Sequence, residues 1–167
     1  MKFNFQAFSA IYLHEMDRFR RTLMQSLFSP VLSTSLYFIV FGSVIGGYVE
    51  KIDGISYGSY IVPGLLMLTL LTQSISNTSF GIFFPKFNGT IYEILAAPIS
   101  TFEIVLAFVG AGATKTLIVG IVIFVTSTFF VEVKVMYPLL MVFLLVLVAF
   151  TFALFGFLIG LMSSNFE

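Results

Sequence analysis

The sequence has no cysteine and one histidine, His14. Disulfide bonds, thiol catalysis and Cys/His metal sites are therefore excluded. Charge is scarce as well: charged residues are 10% of the chain, and eight Lys and Arg balance eight Asp and Glu. A soluble domain carries about 25% charged residues. The charge that remains forms no basic tract, so nothing in it argues for nucleic acid. No Ser/His/acid set or carboxylate pair falls within an apolar stretch, so the chain does not read as an enzyme. An early apolar core behind a short basic start, the mark of a cleavable signal, is missing. The first long apolar run begins only near Val31, and this span is expected to stay in the mature protein. What the chain has in abundance is apolar side chains, 59% of residues, with a mean hydropathy of +1.07. A water-soluble fold of this length has no place for them, whereas a bilayer is itself an apolar solvent.

A membrane-spanning helix needs about 20 mostly apolar residues. Four stretches meet that length: Val31–Val49, Tyr57–Phe83, Glu103–Phe130 and Val135–Met162. Pro30 stands at the head of the first, where a missing N–H costs little. Barrel strands alternate and span with about ten residues, which these continuous runs do not match. The expected architecture is all-α, four transmembrane helices preceded by an amphipathic interfacial helix over residues 1–29. No internal repeat is seen.

The second stretch changes character at Thr72–Ser79, which reads TQSISNTS. Lipid satisfies neither Gln73 nor Asn77, so both are expected to face another helix or a water-filled path. In the third stretch Gly110–Thr116, GAGATKT, has the look of a phosphate loop. A phosphate loop needs Gly directly before the Lys and another five residues earlier, where Thr114 and Val109 stand. Lys115 matters for another reason: a cation inside a spanning helix costs about 3 kcal/mol on insertion scales. About a dozen helical residues flank it on each side, which disfavours snorkelling. Pairing inside the bundle is the leading expectation, and contact with a transported substrate the lesser one. Gly42-x-x-x-Gly46 and Gly156-x-x-x-Gly160 permit close helix approach, within the chain before between chains.

Before the first span, Phe8, Tyr12, Met16, Phe19, Leu23 and Leu27 recur every three or four residues, with Asp17, Arg20 and Arg21 off that stripe. This fits a helix in the membrane interface, aromatics in lipid and charges in water. Glu15 interrupts the stripe; Arg18, one turn on, or a partner protein are its candidate counter-ions. Between the second and third spans, Pro85–Thr101 opens on Pro and an Asn-Gly turn. A short amphipathic helix over Thr90–Ala97 follows, with Ile91, Ile94 and Leu95 on one face, ended by Pro98. Glu93 and Glu103 read as cytoplasmic or boundary carboxylates that water solvates. Lys2, Arg18, Arg20, Arg21 and Lys86 lie on one side of the spans, and only Lys51 and Lys134 on the other. The positive-inside rule then places both termini and the Pro85–Thr101 segment in the cytoplasm.

Tyr37–Gly42 (YFIVFG), Tyr60–Gly64 (YIVPG), Glu15–Arg21 (EMDRFRR) and above all Asn88–Ser100 with Glu103 (NGTIYEILAAPIS, then FE) carry a likeness. The chain resembles, over its whole length, the ABC-2 type permease subunits of bacterial ATP-driven exporters. The resemblance implies that Gly89, Thr90, Glu93, Leu95, Pro98 and Glu103 form a coupling helix seated in a separate ABC ATPase subunit. It implies that the N-terminal helix, with Glu15, Arg18, Arg20 and Arg21, touches that same subunit. It further implies a homodimer in the bacterial inner membrane, with ATP and Mg bound by the ATPase and no cofactor in this chain. The family's domain has six spans, so a chain ending after the fourth is expected to be a truncated form. A four-span channel or assembly protein with no ATPase partner explains the hydropathy equally well but leaves the Asn88–Glu103 string unexplained.

Overall fold

The computed structural model describes residues 3–45 and 54–163, all helices and short connections. The elements are α1 (Phe5–Arg21), α2 (Leu23–Tyr37) continued by a π-helical stretch (Phe38–Ile45), α3 (Tyr57–Phe87), α4 (Ile91–Ala96), α5 (Thr101–Thr128) and α6 (Pro138–Met162). Among the described residues four helices are long and apolar enough to cross a bilayer: Leu23–Phe41, Tyr57–Phe87, Thr101–Thr128 and Pro138–Met162. The protein is an all-α integral membrane protein. Lys2, Gly46 and Lys51 lie outside the described residues, as does the chain beyond Ser163.

Helix α5 is the hub, with α1, α2, α3 and α6 all packed on it. Its sequence allows this because its surface is small. Ala107, Ala111 and Ala113 have no exposure at all, and Gly112 and Gly120 are buried with them. A Cβ on Gly112 would overlap the Thr78 hydroxyl, and one on Gly120 would lie 3.0 Å from a Leu70 methyl. In lipid no hydrophobic force drives helices together, and close backbone approach of this kind supplies the dispersion contact that holds them. A core of Ile82, Ile104, Phe108, Val109 and Phe157 joins α3, α5 and α6, with the Phe108 and Phe157 rings tilted at 6.3 Å. Helix α6 turns Ala149, Ala153, Gly156, Phe157 and Gly160 to the bundle, and most of its Leu, Val and other Phe residues outward. The second small-residue motif is thus used within the chain, against α3.

The helix boundaries depart from the expected ones in three places. The first spanning helix begins at Leu23, so Pro30 is buried inside α2 instead of heading it. Thr22 makes the break: its backbone N–H and its hydroxyl both bond back to the Arg18 and Phe19 carbonyls, closing α1. Second, α3 runs on through Pro85 to Phe87, so the polar connection starts at Asn88. Third, α1 packs against the bundle itself and not across its end. It runs lengthwise along α5, because the pairs Asn4–Glu103, Tyr12–Thr114 and Glu15–Lys115 keep nearly constant sequence separations of 99, 102 and 100. Parallel side-by-side packing is the only arrangement that holds such a register. The stripe through Tyr12 and Phe19 therefore faces protein, while Leu13, His14, Asp17, Arg20 and Arg21 are exposed.

Candidate functional site

Glu15 is the residue the stripe could not accommodate, and it is among the most buried side chains of α1, 2% exposed. Its Oε2 accepts from Lys115 Nζ at 2.7 Å and pairs with Arg18 Nη2 at 2.7 Å. Lys115 stands near the middle of α5 and is 3% exposed. At about 1.5 Å rise per residue its Cα is about 20 Å from either helix end, beyond any lysine's reach. It is therefore neutralised in place, as a charge in a low-dielectric interior must be. The Arg18 guanidinium also lies over the Phe80 ring, 5.6 Å from its centroid, a cation–π contact that ties α1 to α3. Close by, the Tyr12 hydroxyl bonds Thr114 Oγ1 at 3.0 Å.

Beside the charges a cavity of about 370 Å³ opens between α1, α2, α3 and α5. Arg18, Thr22 and Ser26 line one wall, Ser76 and Asn77 another, and Lys115 the floor. Asn77 and Gln73 share a bond along α3, Nδ2 to Oε1 at 3.3 Å. The structure thus brings Arg18, Asn77 and Lys115 to one polar site and leaves Gln73 one turn away as Asn77's partner. Thr22, Ser26 and Ser76 were not anticipated. Thr22 and Ser26 continue the Arg18 row at a four-residue step, a spacing that stands in the sequence.

The second group lies at the end of the bundle where α3 hands over to α5. Gly89 has φ +79°, which an L residue rarely adopts, and so turns the chain sharply after α3. Thr90 Oγ1 bonds the Pro85 carbonyl at 3.3 Å across that turn. Helix α4 follows for six residues and ends at Ala96, since Ala97 is extended ahead of Pro98. Ile91 and Ile94 pack toward the core, whereas Leu95 is 62% exposed and Tyr92 73% exposed. Leu95 thus leaves the apolar face it was expected to share. The reason is length: α4 has too few residues to bury more than one edge. Glu93 and Pro98 are exposed with it.

Glu103 differs from the solvated boundary carboxylate expected, being only 4% exposed. It completes a capping box with Ser100: Glu103 Oε2 accepts the Ser100 N–H at 2.8 Å, and Ser100 Oγ accepts the Glu103 N–H at 3.3 Å. Its other oxygen accepts the Asn4 N–H at 2.6 Å, and Asn4 Nδ2 reaches the Pro98 carbonyl at 3.5 Å. One carboxylate therefore holds the start of α1 to the start of α5. Glu103→Ala is expected to free both amides, with hydrogen exchange at Asn4 and Ser100 about tenfold faster. Glu103→Gln, which keeps an acceptor oxygen, is expected to show less; mass-resolved amide exchange measures both. Lys86 fastens the same end, its Nζ donating to the Leu161 and Ser163 carbonyls at 2.7 and 2.8 Å. A cation there meets the unsatisfied carbonyls and negative dipole of α6's C-terminus.

Gly110–Thr116 lies wholly inside α5 and so forms no phosphate-binding loop. Among the described residues there is no cluster that could hold a metal ion. What the fold and the buried ion pair define is a polytopic helical membrane protein with a polar site inside its bundle. The chain belongs to the ABC-2 type transporter family, whose model matches residues 6–167. Over 161 residues it is 38% identical to the inner membrane transport permease YadH of Escherichia coli K12, and equally to that of Shigella flexneri. The match takes in 96% of this chain but 63% of each relative, so the chain spans less than two thirds of their length. No solved structure matches.

Proposed function

We propose that the chain is the membrane-spanning subunit of an ATP-driven exporter in a bacterial inner membrane, working with a separate ABC ATPase. Family membership and the likeness to relatives named inner membrane transport permeases support the membrane and transport parts of this reading. The observation that carries the coupling part is α4. It is a short helix clamped at both ends, by the Gly89 turn with the Thr90–Pro85 bond and by the Ser100–Glu103 box, and it presents Tyr92, Glu93 and Leu95 outward. A rigid projection transmits a push from a partner instead of absorbing it. An aromatic, an acid and a leucine together suit a groove with an apolar floor and a basic rim. Gly89 and Pro98 set its ends, and Glu103 joins it to α1. ATP and Mg would be held by the ATPase. Two copies of the permease would enclose the path, with both termini in the cytoplasm in accord with the Lys and Arg distribution.

Co-expression with the ATPase tests the coupling reading. Tyr92→Ala with Glu93→Arg is expected to weaken co-purification about tenfold or more, as loss of an interface hot spot does. Pro98→Gly is expected to keep assembly but lower transport-coupled ATP hydrolysis. Unchanged assembly and coupling in both variants would remove α4 as the contact.

A further inference from the structure

The site beside Glu15 is charge-unbalanced. Arg18 and Lys115 are two cations, and both lean on a single oxygen, Glu15 Oε2, leaving a net charge of +1. Among the described residues no second carboxylate reaches either cation. The remaining donors are numerous: an ammonium carries three N–H groups and a guanidinium five, and the ion pairs engage one nitrogen of each. Asn77, Ser76, Thr22 and Ser26 add further hydrogen-bonding groups around the same space. Arg18 is 27% exposed, so the excess positive charge faces this half-open polar space, where an anion can balance it. A structural ion pair alone would be served better by one cation and a filled space. The space is instead about 370 Å³, within the range that holds a small ligand or a lipid headgroup.

From these features we infer that the Arg18–Lys115 cavity binds one phosphate-type anion, with Arg18 as its forked donor, Lys115 as its point charge and Asn77 as a neutral partner. The planar fork of a guanidinium matches a phosphate's oxygens in pairs, and its stacking on Phe80 presets its plane. Phe19 and Phe80 line the same cavity and give an apolar side to a space whose other lining groups are polar or charged. Phosphate chemistry has two sources here, the headgroup of an anionic phospholipid and free phosphate. The inference is independent of the coupling reading, because it involves neither α4 nor an ATPase.

Binding to the purified protein without any ATPase therefore tests it, by native mass spectrometry in detergent with three probes. These are short-chain phosphatidylglycerol, phosphatidylcholine of the same chain length, and inorganic phosphate. Saturable binding of one phosphatidylglycerol, with phosphatidylcholine weaker, is the expected result. Arg18→Gln should weaken it about tenfold, the size expected for one charged hydrogen-bonding partner. Arg18→Lys, which keeps the charge but not the planar fork, should restore only part of it. Because Glu15 keeps Lys115 in Arg18→Gln, that variant is expected to elute from gel filtration as the parent does. Asn77→Leu, which reduces the polar lining without touching a charge, should weaken binding as well. Inorganic phosphate binding with the same Arg18 dependence would establish the site with free phosphate as its source. Equal binding of the two lipids, or phosphatidylglycerol binding indifferent to both Arg18→Gln and Asn77→Leu with no phosphate bound, would overturn the inference.

Discussion

Glu15→Ala is expected to be among the most destabilising single changes in this protein, by about 3–5 kcal/mol, the range for orphaning a buried charge. Its Oε2 is the shared acceptor of Lys115 and Arg18, so its loss leaves two cations together, and one of them is only 3% exposed at mid-helix. Lys115→Met should cost less, because Glu15 keeps the Arg18 guanidinium, whose side chain is 27% exposed. The double variant Glu15→Leu/Lys115→Met replaces the buried pair by apolar groups of similar volume. It is expected to lie closer to the parent than Glu15→Ala does, since swapping a whole buried pair is often neutral. Arg18 would then still rest on Phe80 and reach solvent through the cavity. The measurement is the temperature at which a fluorescent-protein fusion loses its monodisperse gel-filtration peak. A double variant as unstable as Glu15→Ala would show that the site needs the carboxylate for a reason other than charge pairing. The constant register of α1 on α5 makes this pair the principal electrostatic fastening of the N-terminal helix; Tyr12–Thr114 and Asn4–Glu103 are neutral or terminal by comparison.

Adding two methyl groups to α6 is expected to do comparable damage by an unrelated route. A Cβ on Gly156 would stand 2.5 Å from the Ile75 carbonyl oxygen and 2.8 Å from its Cα, and one on Gly160 2.5 Å from the Ser79 carbonyl oxygen. These neighbours are largely main chain, so rotating side chains cannot make room and the two helix axes must separate. Overpacking of this kind costs about 1–3 kcal/mol per site. In a bilayer no hydrophobic force draws the helices back together. Gly156→Ala/Gly160→Ala should therefore loosen α6 from α3 and expose the Phe108–Phe157 core, read as a lower melting temperature and as cleavage of the connection before Pro138. Gly64→Ala is the control. Nothing lies within 4 Å of its added Cβ, and alanine favours the helix by about 0.5–1 kcal/mol over glycine. Equal loss in both variants would point to glycine flexibility, not close approach, as the property needed.

The two predictions rest on residues that the sequence singled out to different depths. Small residues at a four-residue step announce a close contact, and Gly156 and Gly160 make one. Their partner, the Ile75–Ser79 backbone of α3, is unreadable from spacing because every helix offers a backbone. Lys115 declared itself by its cost: a cation in the middle of an apolar run must be paired somewhere. Arg18 was a readable partner for Glu15, one turn away. That Lys115 is the other partner depends on 100 residues of intervening chain, which local periodicity does not encode. Glu103 was misjudged for a related reason. The Ser-x-x-Glu spacing of a capping box was present, but burial came from Asn4, an acceptor's partner supplied by the far end of the chain.

The apolar runs, the scarcity of charge and the Asn88–Glu103 string by themselves determined a helical membrane protein, the four stretches long enough to span within this chain and the family likeness. They could do so because hydrophobic length and turn chemistry are local properties: a helix in lipid satisfies its own backbone wherever its neighbours are. Only the tertiary structure decided that α1 stands along α5, that Pro30 lies within a helix and that Arg18, Asn77 and Lys115 border one cavity. Those depend on which faces meet. That choice is made by the few kcal/mol of close packing and charge pairing between helices, a sum over contacts that no single stretch of sequence contains.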